Sequence, residues 1–140
     1  MTDAWDARVA QARAAVGPAA LLAGDWVGEG VAHGEPCGAS LRVRVVLDGS
    51  MVEAAERVGE HEDRCFYRWD VDTSQLRVLH LLPGALLEDH AVELVPDGLV
   101  WVTGPTQPAV EWTLRGPELQ CAVTWPGARE PEVLVRYRRV

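Results

Sequence analysis

The sequence has 140 residues and a mass of 15.3 kDa, and 48% of its residues are hydrophobic, enough for one ordinary domain with its own core. Thirteen arginines, no lysines and 21 acidic residues give a formal net charge of −8. Nucleic acids and anionic membranes attract basic surfaces, so we expect neither as a partner. The N-terminal segment is acidic and lacks the apolar core of a secretion signal, so we expect a cytoplasmic protein.

An N-terminal helix is predicted within residues 1–18. The segment Asp3–Val16 is rich in Ala and Arg, contains neither Gly nor Pro, and has its apolar residues near helical spacing. Gly17-Pro18 is typical of a helix end, and one more helical turn within Ala19–Ala23 is compatible with the sequence. Residues 24–140 complete the single domain that we expect.

From Gly24 onward, short runs rich in Val, Leu, Trp and Thr alternate with turn residues about every ten positions. The predicted strands are Asp25–Ala32, Ser40–Leu47, Ser50–Val58, Arg64–Asp70, Gln75–Leu82, Glu88–Leu94, Leu99–Thr103, Val110–Arg115, Glu118–Trp125 and Glu132–Arg139. No helix-length pattern interrupts them, and closing the sheet removes two exposed edges. The sequence therefore predicts an all-β fold: an antiparallel up-and-down β-barrel of about ten strands with a short N-terminal helix.

Alternation along each strand separates an interior row from an exterior row. The interior row of the second predicted strand is apolar and consists of Leu41, Val43, Val45 and Leu47. The pair Asp48-Gly49 favours a tight hairpin that sets Val43 opposite Ala54 and Leu41 opposite Glu56, so Glu56 faces inward. A barrel of this strand number is too wide for its own side chains to fill, which predicts a ligand cavity.

The interior rows carry aromatic, imidazole and thiol side chains that suit a flat hydrophobic ligand. The predicted ligand-binding residues are Trp26, Tyr67, Trp69, His80, His90, Trp112, Cys121, Trp125 and Tyr137. The alternative is that the same rings only fill the core. Trp101 lies on the row opposite Val100 and Val102, which leaves its face open.

His80 shares a predicted interior row with Leu76 and Val78, and His90 shares one with Val92 and Leu94 on the next strand. A five-residue loop, Pro83–Leu87, would centre the hairpin on Ala85 and place the two histidines directly opposite each other, with Cβ atoms about 4.5–5.5 Å apart. Paired imidazoles can bind a metal or haem, move a proton or hydrogen-bond a polar ligand. They can equally be interior residues without chemistry, or one can face solvent if the loop has another length.

No metal site is predicted. The three cysteines are widely spaced, odd in number and without a C-x-x-C pair, which is typical of reduced, mostly buried thiols. Two histidines alone are too few ligands, and a third donor such as Cys65, Cys121 or Glu56 would have to converge on them. His33 and His61 lie in or beside polar turns, where we expect surface residues. The sequence has no nucleophile elbow, phosphate-binding loop or dinucleotide fingerprint.

Residues 22–30 resemble the opening of the calycin-type barrels. They read Leu-x-Gly-x-Trp-x-Gly-x-Gly, after a short helical segment and before a run of strands. Within that group the pattern is most similar to the nitrobindin-like haem barrels and to uncharacterised bacterial lipocalin-like proteins, and residues 46–52 are similar to a strand–turn–strand of the latter. Fatty-acid-binding proteins share a shorter Gly-x-Trp at the same place.

The nitrobindin-like resemblance implies a ferric haem held by a histidine on the last strands, with chemistry on nitric oxide or peroxynitrite. Residues 133–140 contain no histidine, so only His80 or His90 could replace that ligand. The fatty-acid-binding resemblance implies an inward Arg-x-Tyr pair that holds a carboxylate. Tyr137 matches the tyrosine, and Val135 stands at the arginine position.

The favoured hypothesis from the sequence is reversible binding of a small apolar or aromatic molecule inside the barrel, with homodimerisation left open. A second hypothesis is an enzyme that uses the same cavity, either an isomerase or cyclase or a haem-dependent scavenger, with His80 and His90 as general acid and base or as the iron ligand. A third is a non-catalytic interaction domain whose core has collapsed and whose outer wall carries an apolar patch.

Overall fold

The computed structural model describes residues 3–140, so Met1 and Thr2 of the predicted helical segment lie outside the described residues. The elements are α1 (Asp3–Ala20), β1 (Gly24–Ala32), β2 (Glu35–Val46), β3 (Met51–Val58), β4 (His61–Asp70), β5 (Gln75–Leu82), β6 (Leu86–Val95), β7 (Gly98–Val102), β8 (Ala109–Arg115), β9 (Glu118–Thr124) and β10 (Val133–Arg139). Each strand pairs antiparallel with its neighbours in sequence, and β1 pairs with β10. The sheet therefore closes into the predicted ten-strand barrel, which is consistent with a calycin-like fold.

The β2–β3 hairpin has the predicted register. Val43 pairs with Ala54 and Leu41 pairs with Glu56, so Glu56 lies on the interior face. The turn that sets this register places Leu47, Asp48 and Gly49 in the left-handed backbone region, with φ values of 51°, 58° and 83°. An Asp-Gly pair tolerates that conformation better than most residues, which explains why the turn forms here.

Some residues at the ends of the predicted interior rows are not interior. Val45, Leu47, Leu94 and Trp125 have 42%, 66%, 57% and 45% of their surface exposed. The prediction is wrong for these residues because alternation reports an interior position only while the strand runs beside the core. Leu47 and Trp125 follow the last residues of β2 and β9, and Val45 and Leu94 lie at the barrel rim.

Two glycines of β1 allow the barrel to close. A Cβ atom on Gly30 would lie 1.9 Å from the carbonyl oxygen of Leu134 on β10, and one on Gly28 would lie 2.3 Å from the carbonyl oxygen of Arg136. No side chain fits at such distances from backbone atoms, so the first and last strands approach each other only because these positions are glycine. The Gly-x-Gly part of the opening pattern therefore has a structural cause at the closing seam.

The N-terminal helix is longer than predicted and covers one end of the barrel. It runs through Gly17-Pro18 without a break and ends at Ala20. Packing explains this difference, because Val16 and Ala19 are fully buried against the barrel and hold the last turn in place. Arg13 donates a hydrogen bond to the carbonyl oxygen of Asp48 in the β2–β3 turn, which places the helix over that end. No helix among the described residues is long and apolar enough to cross a membrane.

Trp26 joins the helix end to the barrel. Its side chain is 1% exposed, and its indole N–H donates to the carbonyl oxygen of Leu22 over 2.8 Å. The guanidinium of Arg139 lies 4.3 Å from the ring centroid on the outer side, in a cation–π contact. At the helix-covered end Trp26 is therefore packed beneath α1 with its indole N–H bonded.

Candidate functional site

A cavity of about 310 Å³ lies inside the other half of the barrel and opens at the end opposite α1. The lining includes the last residues of β1, β3 and β5, and these strands end on the side of the barrel away from α1. The apolar and aromatic lining residues are Ala32, Leu41, Ala54, Val58, Leu82, Trp101, Pro108, Val110, Trp112, Val123 and Val133. The barrel is therefore not filled by its own side chains in this half.

All the acidic lining residues, together with His80 and His90, lie on strands β3 to β6. His80 lies at the centre of this group, with its Nε2 atom 2.7 Å from Oδ2 of Asp63 and its Nδ1 atom 3.8 Å from Oε1 of Glu88. The side chain of His80 is 12% exposed and that of Asp63 is 15% exposed. Both ring nitrogens of a nearly buried imidazole therefore face carboxylates, an arrangement that fixes the orientation of the ring.

His90 and Trp101 complete this wall. The Nε2 atom of His90 lies 3.5 Å from Oε2 of Glu88, so that one carboxylate faces both histidines. The Trp101 ring lies edge-on to His80, with centroids 4.9 Å apart, and stacks on His90 at 6.1 Å. Its indole N–H donates to the hydroxyl of Tyr67 over 3.0 Å. Trp101, whose face the sequence left open, is 4% exposed and lies inside the barrel.

The two histidines are not directly opposite each other. In the β5–β6 hairpin His80 pairs with Glu88, and His90 pairs with Val78. The predicted register is wrong because the loop has three residues, Pro83–Ala85, and not five. Gly84 and Ala85 both adopt the left-handed region, with φ values of 85° and 60°, so the turn closes early and strand β6 begins at Leu86. The shift of two residues leaves both histidines on the interior face.

Glu56 lies deeper in the cavity. Its pKa is raised to about 8, first by burial and second by the charge of Asp63, while the hydrogen bond donated by the Tyr137 hydroxyl acts in the opposite direction. Glu56 and Asp63 are cross-strand partners in the β3–β4 pair. A carboxyl group with this pKa is largely protonated at neutral pH, so it can donate a hydrogen bond or a proton into the cavity.

Two cysteines line the same cavity. Cys65 and Cys121 are 5% and 3% exposed, and burial raises the pKa of each thiol well above its ordinary value. The neighbouring acids Asp63 and Glu56 add to both shifts. Without a bound metal ion, both cysteines are therefore neutral thiols at physiological pH.

Trp112 contributes a polar atom without a partner. It is 5% exposed, it lines the cavity, and its buried indole N–H has no hydrogen-bond partner within residues 3–140. The ring stacks on Tyr137 with centroids 6.2 Å apart and an interplanar angle of 22°. A buried donor without a partner costs free energy, which a bound acceptor group would recover.

Four of the nine predicted ligand-binding residues line the cavity: His80, His90, Trp112 and Cys121. Tyr67 and Tyr137 lie behind the lining and hydrogen-bond to the lining residues Trp101 and Glu56. Whether any of these six contacts a ligand stays a prediction.

The other three predicted residues, Trp26, Trp69 and Trp125, lie outside the cavity lining in the described part of the chain. Trp26 packs beneath α1, and Trp125 is exposed and donates a hydrogen bond to Glu132. His33 and His61 are exposed, as expected, and both lie at the mouth of the cavity. His33 faces Glu132 at 2.8 Å.

Sequence reasoning missed Asp63 and the role of Glu88. Strand β4 begins at His61, three residues before its predicted start at Arg64, so Asp63 shares the interior row of Cys65 and Tyr67. Asp63 could have been identified from the sequence, because extending the interior row two residues back from Cys65 reaches Asp63. Glu88 likewise shares the interior row of His90, but the five-residue loop moved it away from His80.

No protein-family model and no curated protein matches this sequence.

Proposed function

We propose that this barrel reversibly binds a small, largely apolar or aromatic molecule that carries one polar group. The cavity volume of about 310 Å³ equals roughly ten water molecules at about 30 Å³ each, so the best fit is a ligand of about ten non-hydrogen atoms. The observation that carries the proposal is the division of the lining: apolar walls face one wall of acids and histidines on β3 to β6, which consists of Glu56, Asp63, His80, Glu88 and His90. Small-molecule pockets have this composition.

The lining favours a neutral hydroxyl or an amine over a carboxylate as the polar group. Glu56, Asp63 and Glu88 all face the cavity, whereas the basic lining groups are imidazoles. An anion entering beside these acids would be repelled, while a hydroxyl can donate to Asp63 or accept from His90. Val135 is fully buried where fatty-acid-binding proteins have an arginine, so a fatty acid would lack its charge partner.

Calorimetric titration with three matched probes tests this proposal: 2-naphthol, naphthalene and 2-naphthoate. We expect saturable one-to-one binding of 2-naphthol, with about tenfold weaker binding of naphthalene because one buried hydrogen bond is missing. The carboxylate should bind more weakly than either probe. Equal affinity for all three, or no binding, would contradict the proposal.

A matched pair of variants locates the binding. Asp63→Asn changes the carboxylate beside His80, whereas Asp89→Asn changes a carboxylate on the outer face, where it pairs with Arg68 and Arg77. We expect the first variant to weaken 2-naphthol binding by about tenfold and the second to leave it unchanged. Equal effects of the two variants would place the ligand elsewhere.

The same geometry favours acid–base catalysis as a second function. The hydrogen bond between Asp63 and His80 fixes the orientation of the imidazole, as a carboxylate does for a catalytic histidine base. Glu56 provides a proton donor in the same cavity. Exchange of the α-protons of 2-tetralone in D₂O, followed by NMR, tests for proton abstraction. If the protein is an isomerase or cyclase, we expect exchange faster than in buffer, and this excess should be lost in His80→Gln. Exchange no faster than in buffer would contradict the catalytic function and would leave ligand binding as the only proposed function.

Haem does not fit the residues present. An axial imidazole needs space for the whole macrocycle around the iron, and a cavity that suits a ligand of about ten non-hydrogen atoms does not provide it. The cavity is also at the lower end of the ~300–1,000 Å³ that drug-sized ligands occupy. Strand β10, where the nitrobindin-like resemblance would place the ligand, contains no histidine.

A further inference from the structure

Three metal-binding side chains converge on the polar wall of the cavity. Asp63 and Cys65 are two residues apart on β4 and share one face, and His80 on β5 is the direct cross-strand partner of Cys65. One potential ligand atom from each of the three lies within 4.8 Å of the others. Ligands around a tetrahedral zinc ion lie about 2.0–2.3 Å from the metal, so small side-chain rotations bring all three into range.

The position of the Cys65 thiol supports a metal site independently of the carboxylates. Cys65 is 5% exposed, it lines the cavity, and its sulfur lies within 4.8 Å of a donor atom of Asp63 and of His80. A packing role alone would not require this sulfur to lie beside a histidine nitrogen and an aspartate oxygen. Sulfur, nitrogen and oxygen donors together favour zinc and similar transition metals over magnesium or calcium.

The surroundings of His80 match those of a metal-binding histidine. Nε2 faces the Asp63 oxygen and therefore the converging donor set, while Nδ1 faces Oε1 of Glu88 at 3.8 Å. Histidine ligands commonly donate their second ring N–H to a carboxylate, which fixes the tautomer and the ring orientation. Glu88 is placed to act as that outer partner, and Glu56 adds a second acid beside Asp63.

We propose that Asp63, Cys65 and His80 bind a divalent transition-metal ion of the zinc class, with its open coordination position facing the cavity. The metal–sulfur bond replaces the S–H bond of Cys65, and the proton is released through the cavity to solvent. Three protein ligands and one open position are the arrangement of zinc sites that also accept an exchangeable molecule. The ion would enter through the same mouth as a ligand, because all three residues line that cavity. The proposal does not depend on the binding of an apolar ligand, since these residues occupy one wall only.

Cobalt(II) titration of the full chain, purified with a chelator, tests this site directly. Cobalt replaces zinc in such sites and gives a thiolate charge-transfer absorption together with tetrahedral ligand-field bands. We expect one equivalent of Co²⁺ to produce both signals and one equivalent of Zn²⁺ to remove them by displacement. Binding without the thiolate absorption, or no binding, would overturn the proposal.

Matched variants assign the ligands. Cys65→Ala, Asp63→Asn and His80→Gln should each lower Zn²⁺ affinity by more than the ~10–100-fold that loss of an outer-shell partner costs. Cys121→Ala removes the other buried cysteine of the cavity and should keep the thiolate absorption. Circular dichroism of each variant shows that the barrel still forms. Loss of the absorption in Cys121→Ala with its retention in Cys65→Ala would contradict the assignment.

A second control separates this site from metal binding at exposed histidines. His33→Gln and His61→Gln change the two exposed histidines at the cavity mouth, and we expect both to bind Zn²⁺ as the unchanged protein does. Loss of binding in either variant would show adventitious surface binding only. Titration of 2-naphthol into Cys65→Ala distinguishes the two proposals, because the apolar cavity should still bind it without a metal.

Discussion

The two ends of the barrel differ in how closely their side chains pack and in the groups that they bury. At the helix-covered end Trp26 is fully buried, its N–H has a partner in Leu22, and Arg139 covers its outer side while donating to the carbonyl oxygen of Leu21 over 2.9 Å. At the open end a cavity remains, and the pKa of Glu56 is raised to about 8.

This difference indicates that the two ends contribute differently to the protein. The helix-covered end buries apolar area with satisfied polar atoms, which is how packing stabilises a domain. The open end keeps carboxyl and imidazole groups away from bulk water, which lowers stability and is typical of functional sites. Changes at the first end should therefore alter unfolding, and changes at the second should alter binding and pH dependence.

The largest expected effect comes from Trp26→Ala. Removing this ring leaves a void beneath α1 and should lower the free energy of unfolding by about 3–5 kcal/mol. Urea denaturation followed by circular dichroism measures the loss. The folded fraction should still bind 2-naphthol within about twofold of the unchanged protein. A large loss of affinity without a loss of stability would reverse the roles assigned to the two ends.

Glu56 should make stability depend on pH. Its pKa is higher in the folded protein, about 8 against an ordinary 4.5, so folding favours the protonated form. This contribution is complete below about pH 4.5 and is lost as the pH rises through 8, a decrease on the order of 5 kcal/mol. Glu56→Gln keeps the shape without the titration and should flatten the profile over this range. A profile unchanged by Glu56→Gln would show that another group causes it.

The closing seam can be tested with two glycines. Gly30→Ala places a methyl group against the backbone of β10 and should cost about 1–3 kcal/mol or more, because the strands must separate. Gly38→Ala on β2 is the control, since nothing lies within 4 Å of its Cβ position. Thermal denaturation of both proteins gives the comparison. Similar melting temperatures for the two variants would contradict the close approach of β1 and β10.

The smallest expected effect comes from Tyr137→Phe. Loss of the hydroxyl removes its hydrogen bond to Glu56 and should cost about 1 kcal/mol. Since that hydrogen bond lowers the pKa of Glu56, the variant should also raise this pKa above about 8. NMR titration of the Glu56 side-chain carboxyl carbon measures the change. A lower pKa in Tyr137→Phe would mean that the hydroxyl does not donate to this carboxyl group.

The barrel could be predicted from the sequence because its signals are local. Alternation identified the interior faces of most strands, and the Asp48-Gly49 turn set the β2–β3 register that brings Leu41 opposite Glu56. The helix end was less predictable. Gly17-Pro18 is a local stop signal, but burial of Val16 and Ala19 keeps the chain helical to Ala20.

The site was only partly predictable because it depends on the register between strands. Pairing of Cys65 with His80 is set by the β4–β5 turn, and pairing of His80 with Glu88 by the β5–β6 turn. A run of leucines beside the second turn gave no alternation from which its length could be read. Asp63 required only the correct start of β4, so the carboxylate–histidine pair could have been found.

The most direct test of the central claim is a crystal structure of the protein with 6-bromo-2-naphthol, in which anomalous scattering locates the bromine. We expect one bromine inside the open half of the barrel, with the naphthol hydroxyl within hydrogen-bond distance of Asp63 or His90. A bromine located instead in the outer crevice between Leu21 and Leu94 at the helix-covered end would contradict it.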